Sequence, residues 1–284
     1  MDKELMFAVL IDADNISDKY IKIILDETAN IGTATYKRIY GDWTSQRMNS
    51  WKEVLLENSV IPIQQYSYTT GKNATDSAMI IDAMDILYSK TVDGFCLVSS
   101  DSDFTRLAAR LREAGKQVIG MGESKTPPPF ISACNQFKYL DLLYEQRMQE
   151  AEKEAEEESD DTAEERISGK SVFDGVFPSA LAGVSSDSQQ KGKEQKQSRQ
   201  KDLRRVRRTI NSILEQFSDE DDWIFSGKLG DQLSKRLPDF DVRNYGYSKF
   251  TPFLKSLGDY EVRKITESNG QQQIYVRLKK KKKK

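Results

Sequence analysis

Two uninterrupted apolar runs of strand length, Phe7-Ala8-Val9-Leu10-Ile11 and Phe95-Cys96-Leu97-Val98, constrain this chain more than any other feature. A strand that is apolar at consecutive positions must be covered on both faces, which is the situation in a parallel sheet flanked by helices. Each run breaks into acids at its C-terminal end, as Asp12-Ala13-Asp14-Asn15 and as Ser99-Ser100-Asp101-Ser102-Asp103. That end of the strands is where open α/β sheets place their ligands. A third acid, Asp76, opens a helical window between the two runs. Carboxylates gathered at one sheet edge repel each other unless a divalent cation sits among them. This is the arrangement for Mg²⁺ or Mn²⁺ and phosphodiester chemistry.

The pattern from Leu5 to Leu143 predicts βαβ units and an α/β fold with a parallel sheet. Strands are expected at Met6–Ile11, Ala34–Tyr40, Val60–Gln65, Gly94–Ser99, Gln117–Met121 and Phe137–Leu140. Helices are expected at Ile16–Ala29, Trp43–Asn58, Asp76–Lys90 and Asp103–Ala114, with the Pro127-Pro128-Pro129 run as a loop. From Arg147 to about Gln200 the chain turns Glu-, Ser-, Gln- and Lys-rich, a polar linker helical at most through Glu158. Its one apolar island is Val172–Pro178. Periodicity returns with helical windows at Leu203–Phe217, Ser226–Leu237 and Ser248–Leu257. Two β-like runs follow, Tyr260–Thr266 and Gln272–Leu278, around Ser268-Asn269-Gly270. Three helices and a hairpin read as a small α+β winged helix. The expected layout is an acid-bearing α/β domain at 1–146, a linker at 147–200, a winged helix at 201–278 and a lysine tail at 279–284.

The chain of 284 residues contains no histidine, which excludes Ser-His-Asp and Cys-His nucleophile systems and His-ligated zinc. Cys96 and Cys134 form no CxxC and no metal spacing, so a reducing, cytoplasmic setting is expected. No apolar run approaches the ~20 residues that span a bilayer, so no membrane is expected as a partner. Net charge is −2, but it is unevenly spread: roughly −4 over 1–144, −7 over 145–198 and +9 over 199–284. An acidic half is tied to a basic one.

Asp12, Asp76, Asp101 and Asp103 form the candidate metal-binding and catalytic set, with one carboxylate orienting the attacking water. Asn15, Asp82 and Ser100 are placed in the ring around it, and Asp103 is a candidate cap of the helix that begins near Phe104. Candidate phosphate contacts are Lys72, in a Gly-containing loop before Asp76, and Arg38, near Tyr40 and Trp43. In the basic half they are Arg204, Arg205, Arg207, Arg208, Arg243 and Lys249, with Tyr247 as a stacking or packing residue.

The segments Leu10–Asn15, Lys72–Asp82 and Leu97–Phe104 resemble those of the NYN family, also called LabA-like, in the PIN-like nuclease superfamily. The resemblance covers about residues 5–145. It implies a Rossmann-like, PIN-type fold and a metal-dependent ribonuclease in which Asp12, Asp76, Asp101 and Asp103 are the metal-binding acids. The C-terminal stretch, through Trp223-Ile224, Leu237-Pro238-Asp239-Phe240 and Tyr245-Gly246-Tyr247-Ser248-Lys249-Phe250, is similar to a LOTUS, or OST-HTH, domain. That resemblance implies a winged helix that binds RNA or docks a protein. Together they point to an endoribonuclease using Mg²⁺ or Mn²⁺ with RNA as its partner. The alternative is a non-catalytic RNA-binding or protein-docking adaptor, and DNA is a weaker choice of target. Oligomeric state is not legible.

Overall fold

A computed structural model describes residues 4–65, 74–164, 187–219, 221–266 and 272–279. Lys72, the Val172–Pro178 island, the Ser268–Gly270 turn and the lysines after Lys279 lie outside the described residues. Six strands, β1 (Met6–Asp12), β2 (Thr33–Gly41), β3 (Ile61–Gln64), β4 (Gly94–Val98), β5 (Gln117–Gly122) and β6 (Gln136–Tyr139), form one sheet in the order β3-β2-β1-β4-β5-β6. Every neighbouring pair is parallel. The chain builds outward from β1 on one side, then returns to lay β4 on the other. The crevice between the ends of β1 and β4 is therefore the topological switch point, where parallel α/β sheets take their ligands.

The unbroken apolar runs sort by strand parity. Phe7, Val9 and Ile11 of β1 and Cys96 and Val98 of β4 share a core with α1 (Ile21–Ala29), α2 (Asn49–Leu55) and the start of α6 (Leu140–Glu164). Ala8, Leu10, Phe95 and Leu97 face the other way, into a core with α3 (Ala74–Ser89), α4 (Thr105–Glu113) and α5 (Pro128–Ala133). Both faces are covered, as consecutive apolar residues require.

The expected elements are present with differences that have local causes. The helix after β1 begins with a 3₁₀ turn at Asp18–Tyr20, and the one after β2 with another at Gln46–Met48. The proline run is not all loop, because Pro128 opens α5, and a proline is well tolerated in a first turn whose N–H has no helical acceptor. Helix α6 runs past Glu158 to Glu164, and α7 (Asp187–Phe217) begins well before Leu203, so regular structure enters the expected linker from both ends.

The C-terminal region adds α8 (Ser226–Arg236), α9 (Phe250–Ser256) and an antiparallel sheet β7-β9-β8, with β7 at Ile224–Phe225, β8 at Tyr260–Thr266 and β9 at Gln272–Leu278. It has its own core, built on Val206, Ile210, Leu229, Leu233, Phe253 and Val276. No helix among the described residues is long and apolar enough to cross a membrane.

Close packing at the centre of the parallel sheet can be tested at Gly94, which opens β4. A Cβ there would stand 2.4 Å from Cε1 of Phe7 and 2.8 Å from the Gln117 carbonyl. Gly94→Ala is expected to cost about 1–3 kcal/mol, as overpacking does, read as a lowered midpoint in chemical denaturation. An unchanged midpoint would contradict the pairing of β4 between β1 and β5.

Candidate metal centre

Asp12 ends β1 with no solvent exposure. Its even position continues the row Ala8, Leu10, so its carboxyl turns toward the face that carries α3 and α4. Oδ1 accepts the Asp14 N–H at 3.1 Å; Oδ2 accepts Asn15 Nδ2 and Ser99 Oγ, both at 2.7 Å. Ser99 follows the row Phe95, Leu97 on β4, and so meets Asp12 across the switch point. Its Oγ also accepts the Asp101 N–H at 3.0 Å. Asp101 in turn accepts the Asp103 N–H at 2.9 Å, capping the 3₁₀ turn Ser102–Phe104 that leads into α4. One chain of hydrogen bonds thus runs from Asn15 through Asp12, Ser99 and Asp101 to Asp103.

Asp76, in the first turn of α3, is buried and comes in from above. One carboxylate oxygen from each of Asp76, Asp101 and Asp103 lies within 4.8 Å of the other two. Oxygens around a six-coordinate Mg²⁺ stand about 3–4 Å apart, so small side-chain rotations would close this set on a hard cation. The donor set is all oxygen and all acid, which suits Mg²⁺ or Mn²⁺ and not a soft metal. Burial, followed by the charges of Asp12, Asp101, Asp103 and Asp14, pushes the Asp76 carboxyl up to about 6. Burial also raises Asp12, against the pull of Asn15, Ser99 and the Asp14 N–H.

Several expected residues take other positions. The oxygens that lie within 4.8 Å of one another belong to Asp76, Asp101 and Asp103; Asp12, expected with them, adjoins the group closely enough that its charge raises Asp76, and its own oxygens accept from Asp14, Asn15 and Ser99. Asp101, and not Asp103, is the cap. Asn15 adjoins the acids by donating Nδ2–H to Asp12, whereas the Ser100 Oγ accepts the Glu123 N–H at 2.9 Å and braces the end of β4 against β5. The hydroxyl that reaches the acids is that of Ser99, and strand parity carries the signal, since 95, 97 and 99 share a face with 8, 10 and 12. Asp82 points away from the trio and accepts hydrogen bonds from Arg38 and the Tyr40 hydroxyl on β2. Arg38 is accordingly held in an ion pair, and Tyr40 is core. Trp43 donates Nε1–H to the Ile63 carbonyl at 3.0 Å, tying it to β3.

In the basic half, Arg207 pairs with Asp259 and donates to the Leu257 carbonyl at 2.9 Å, and Arg205 lies 3.6 Å from Asp239. Arg243 is bound to Glu27 and Asp241. Arg204, Arg208 and Lys249 are exposed. Tyr247 is half-buried with its ring 5.7 Å from that of Phe253, a packing position.

A parallel sheet in this order with acids at its switch point defines a PIN-like α/β domain, and comparison with known proteins agrees. Residues 6–141 match the NYN domain and residues 201–271 match the OST-HTH/LOTUS domain. The chain therefore joins an NYN domain to an OST-HTH/LOTUS domain. A solved structure of a protein of unknown function from Vibrio parahaemolyticus is similar at 18% identity, covering 49% of this chain and 94% of its own, with a TM-score of 0.42. No curated protein matches the chain.

The raised Asp76 pKa fixes the sign of a stability effect. The folded state holds the Asp76 proton more tightly than the unfolded chain, so stability contributed at low pH is lost as pH rises from about 4 through about 6. With a chelator present, Asp76→Asn is expected to melt at a higher temperature than wild type above pH 6 and at the same temperature near pH 4. A lower melting temperature for the variant at both pH values would contradict the crowding of these carboxylates.

Proposed function

We propose that this chain is a metal-dependent ribonuclease that cuts RNA internally, with RNA held in part by its OST-HTH/LOTUS domain. The observation that carries this reading is the convergence of Asp76, Asp101 and Asp103 at the switch point of an NYN domain. Like charges so close are costly in a resting fold, and a divalent cation relieves that cost. Asp76, Asp101 and Asp103 would hold Mg²⁺ or Mn²⁺, with Asp12 adjoining them; among the described residues Asp12 Oδ1 accepts one hydrogen bond, from the Asp14 N–H. When bound, such a cation activates water at neutral pH and neutralises charge on the scissile phosphate.

The protein's own groups do the rest. Ser99 and Asn15 fix the Asp12 carboxylate, and Ser99 also fixes the Asp101 backbone, so the acids are held before substrate arrives. Asp103, the exposed member, lies on the solvent side, where a water could be oriented toward phosphorus. Arg204, Arg208 and Lys249 are exposed cations of the described C-terminal domain, as are Arg263 and Lys264, and could reach phosphate oxygens.

Purified protein is expected to cleave labelled single-stranded RNA with Mn²⁺ or Mg²⁺ and not with chelator. Asp101→Asn should abolish cleavage. Ser99→Ala should lower the rate by about 10–100-fold, the usual cost of losing a group that orients a metal ligand. Intact RNA across single-stranded, hairpin and G-rich substrates with either ion would instead support the adaptor reading.

A further inference from the structure

We propose that the OST-HTH/LOTUS domain is locked onto the outer edge of the parallel sheet through a largely buried network of Glu27, Lys138, Asp241 and Arg243, centred on the buried Glu27, so that the two domains move as one body. Two of these residues come from each domain, and the charges alternate. Arg243 Nη1 and Nη2 donate to Glu27 Oε1 and Oε2 at 2.6 and 2.7 Å, a two-pronged contact across the domain boundary. Nη2 also donates to Asp241 Oδ2 at 2.8 Å. Lys138 Nζ returns from the sheet to Asp241 Oδ2 at 2.7 Å and lies 3.6 Å from Glu27 Oε2. Each acid thus sits between two cations.

The surroundings make this more than a surface ion pair. Glu27 is 5% exposed and the Asp241 side chain 11%. Glu27 lies one helical turn after Ile23 on α1, in a groove walled by Leu143 and Gln146 of α6, and the Arg243 guanidinium closes that groove. Exposed pairs contribute little, whereas removing one member of a buried pair leaves a charge unanswered away from water. The carboxyl of Asp241 registers the same field. Burial alone would raise it, yet Arg243 and Lys138 hold it well below the usual carboxylate range.

The backbone supports the lock independently of charge. β6 is an edge strand, and its outward N–H groups need partners. The Phe137 N–H donates to the Pro238 carbonyl at 2.8 Å, and the Tyr139 hydroxyl donates to Asp239 Oδ2 at 3.3 Å. The segment from Pro238 to Arg243 therefore covers the sheet edge with main-chain and side-chain contacts together. Because the domains share a chain, their effective concentration is high, and an interface of modest size is enough to keep them docked. Arg243 is on this account a docking residue, and Arg204, Arg208 and Lys249 are carried at a fixed offset from the acids.

The test is an interdomain distance measurement on the full chain, spin-labelled at Ser50→Cys on α2 and Lys255→Cys on α9. Both sites are exposed, while Cys96 and Cys134 are buried, so labelling is confined to the introduced thiols. Wild type should give one narrow distance distribution. Arg243→Gln should lose the narrow component, and adding Glu27→Gln should restore part of it, because no unanswered buried charge then remains. Lys138→Gln, on the other domain, should broaden the distribution without depending on how the C-terminal domain tolerates change, and circular dichroism checks that each variant is folded. A broad wild-type distribution would overturn the lock, as would a narrow one unaffected by both Arg243→Gln and Lys138→Gln.

Discussion

The candidate site depends on the parallel pairing of β1 with β4. Ile11 stands beside Val98, and one step further the two strands deliver Asp12 and Ser99 to the same face. A carboxylate with no exposure is tolerable only when its lone pairs are answered, and here Ser99, Asn15 and the Asp14 N–H answer them. Ser99 then passes the constraint on to Asp101, and Asp101 to Asp103. The spacing of the outer acids is thereby tied to the register of the inner strands. A slip of one residue in that register would turn Asp12 and Ser99 to opposite faces and dismantle the site.

The second consequence is electrostatic. Asp76 enters on α3 against the charges of Asp12, Asp101, Asp103 and Asp14, and burial together with these charges pushes its carboxyl up to about 6. Proton and cation would compete for the same oxygens, so on the proposed reading the affinity of this site for a divalent ion is expected to rise with pH through about 6. The basic half behaves differently, since many of its cations answer acids of the fold. Arg207 serves Asp259, Arg243 serves Glu27 and Asp241, and Arg277 serves Glu261. Net charge alone therefore overstates the surface open to phosphate.

The parallel sheet was legible because Phe7–Ile11 and Phe95–Val98 permit no half-exposed strand, and the convergence of acids was legible because ligands gather at one end of such a sheet. Strand parity, which the sequence carries, puts Ser99 and not Ser100 on the face of Asp12. Other misses had no local signal. That Asp82 would turn to Arg38 and Tyr40 depends on how α3 rotates over β2, and that Arg243 would meet Glu27 is a contact across 216 positions. Charge counting marks Arg243 as a phosphate contact because its partner is nowhere near it in the sequence. At Pro128 a run of three prolines masks the one position at which proline starts a helix.

The acids at the switch point are proposed here to form a divalent-cation site. Titration of the full chain with Mn²⁺, followed by the loss of the free-ion electron paramagnetic resonance signal, tests it without recourse to any substrate. The account predicts saturable binding at pH 7.5 that weakens at least about 10-fold in Asp101→Asn and falls away below pH 6. Wild-type protein that takes up no Mn²⁺ at millimolar concentration, or an Asp101→Asn variant that binds it equally well, would contradict the account.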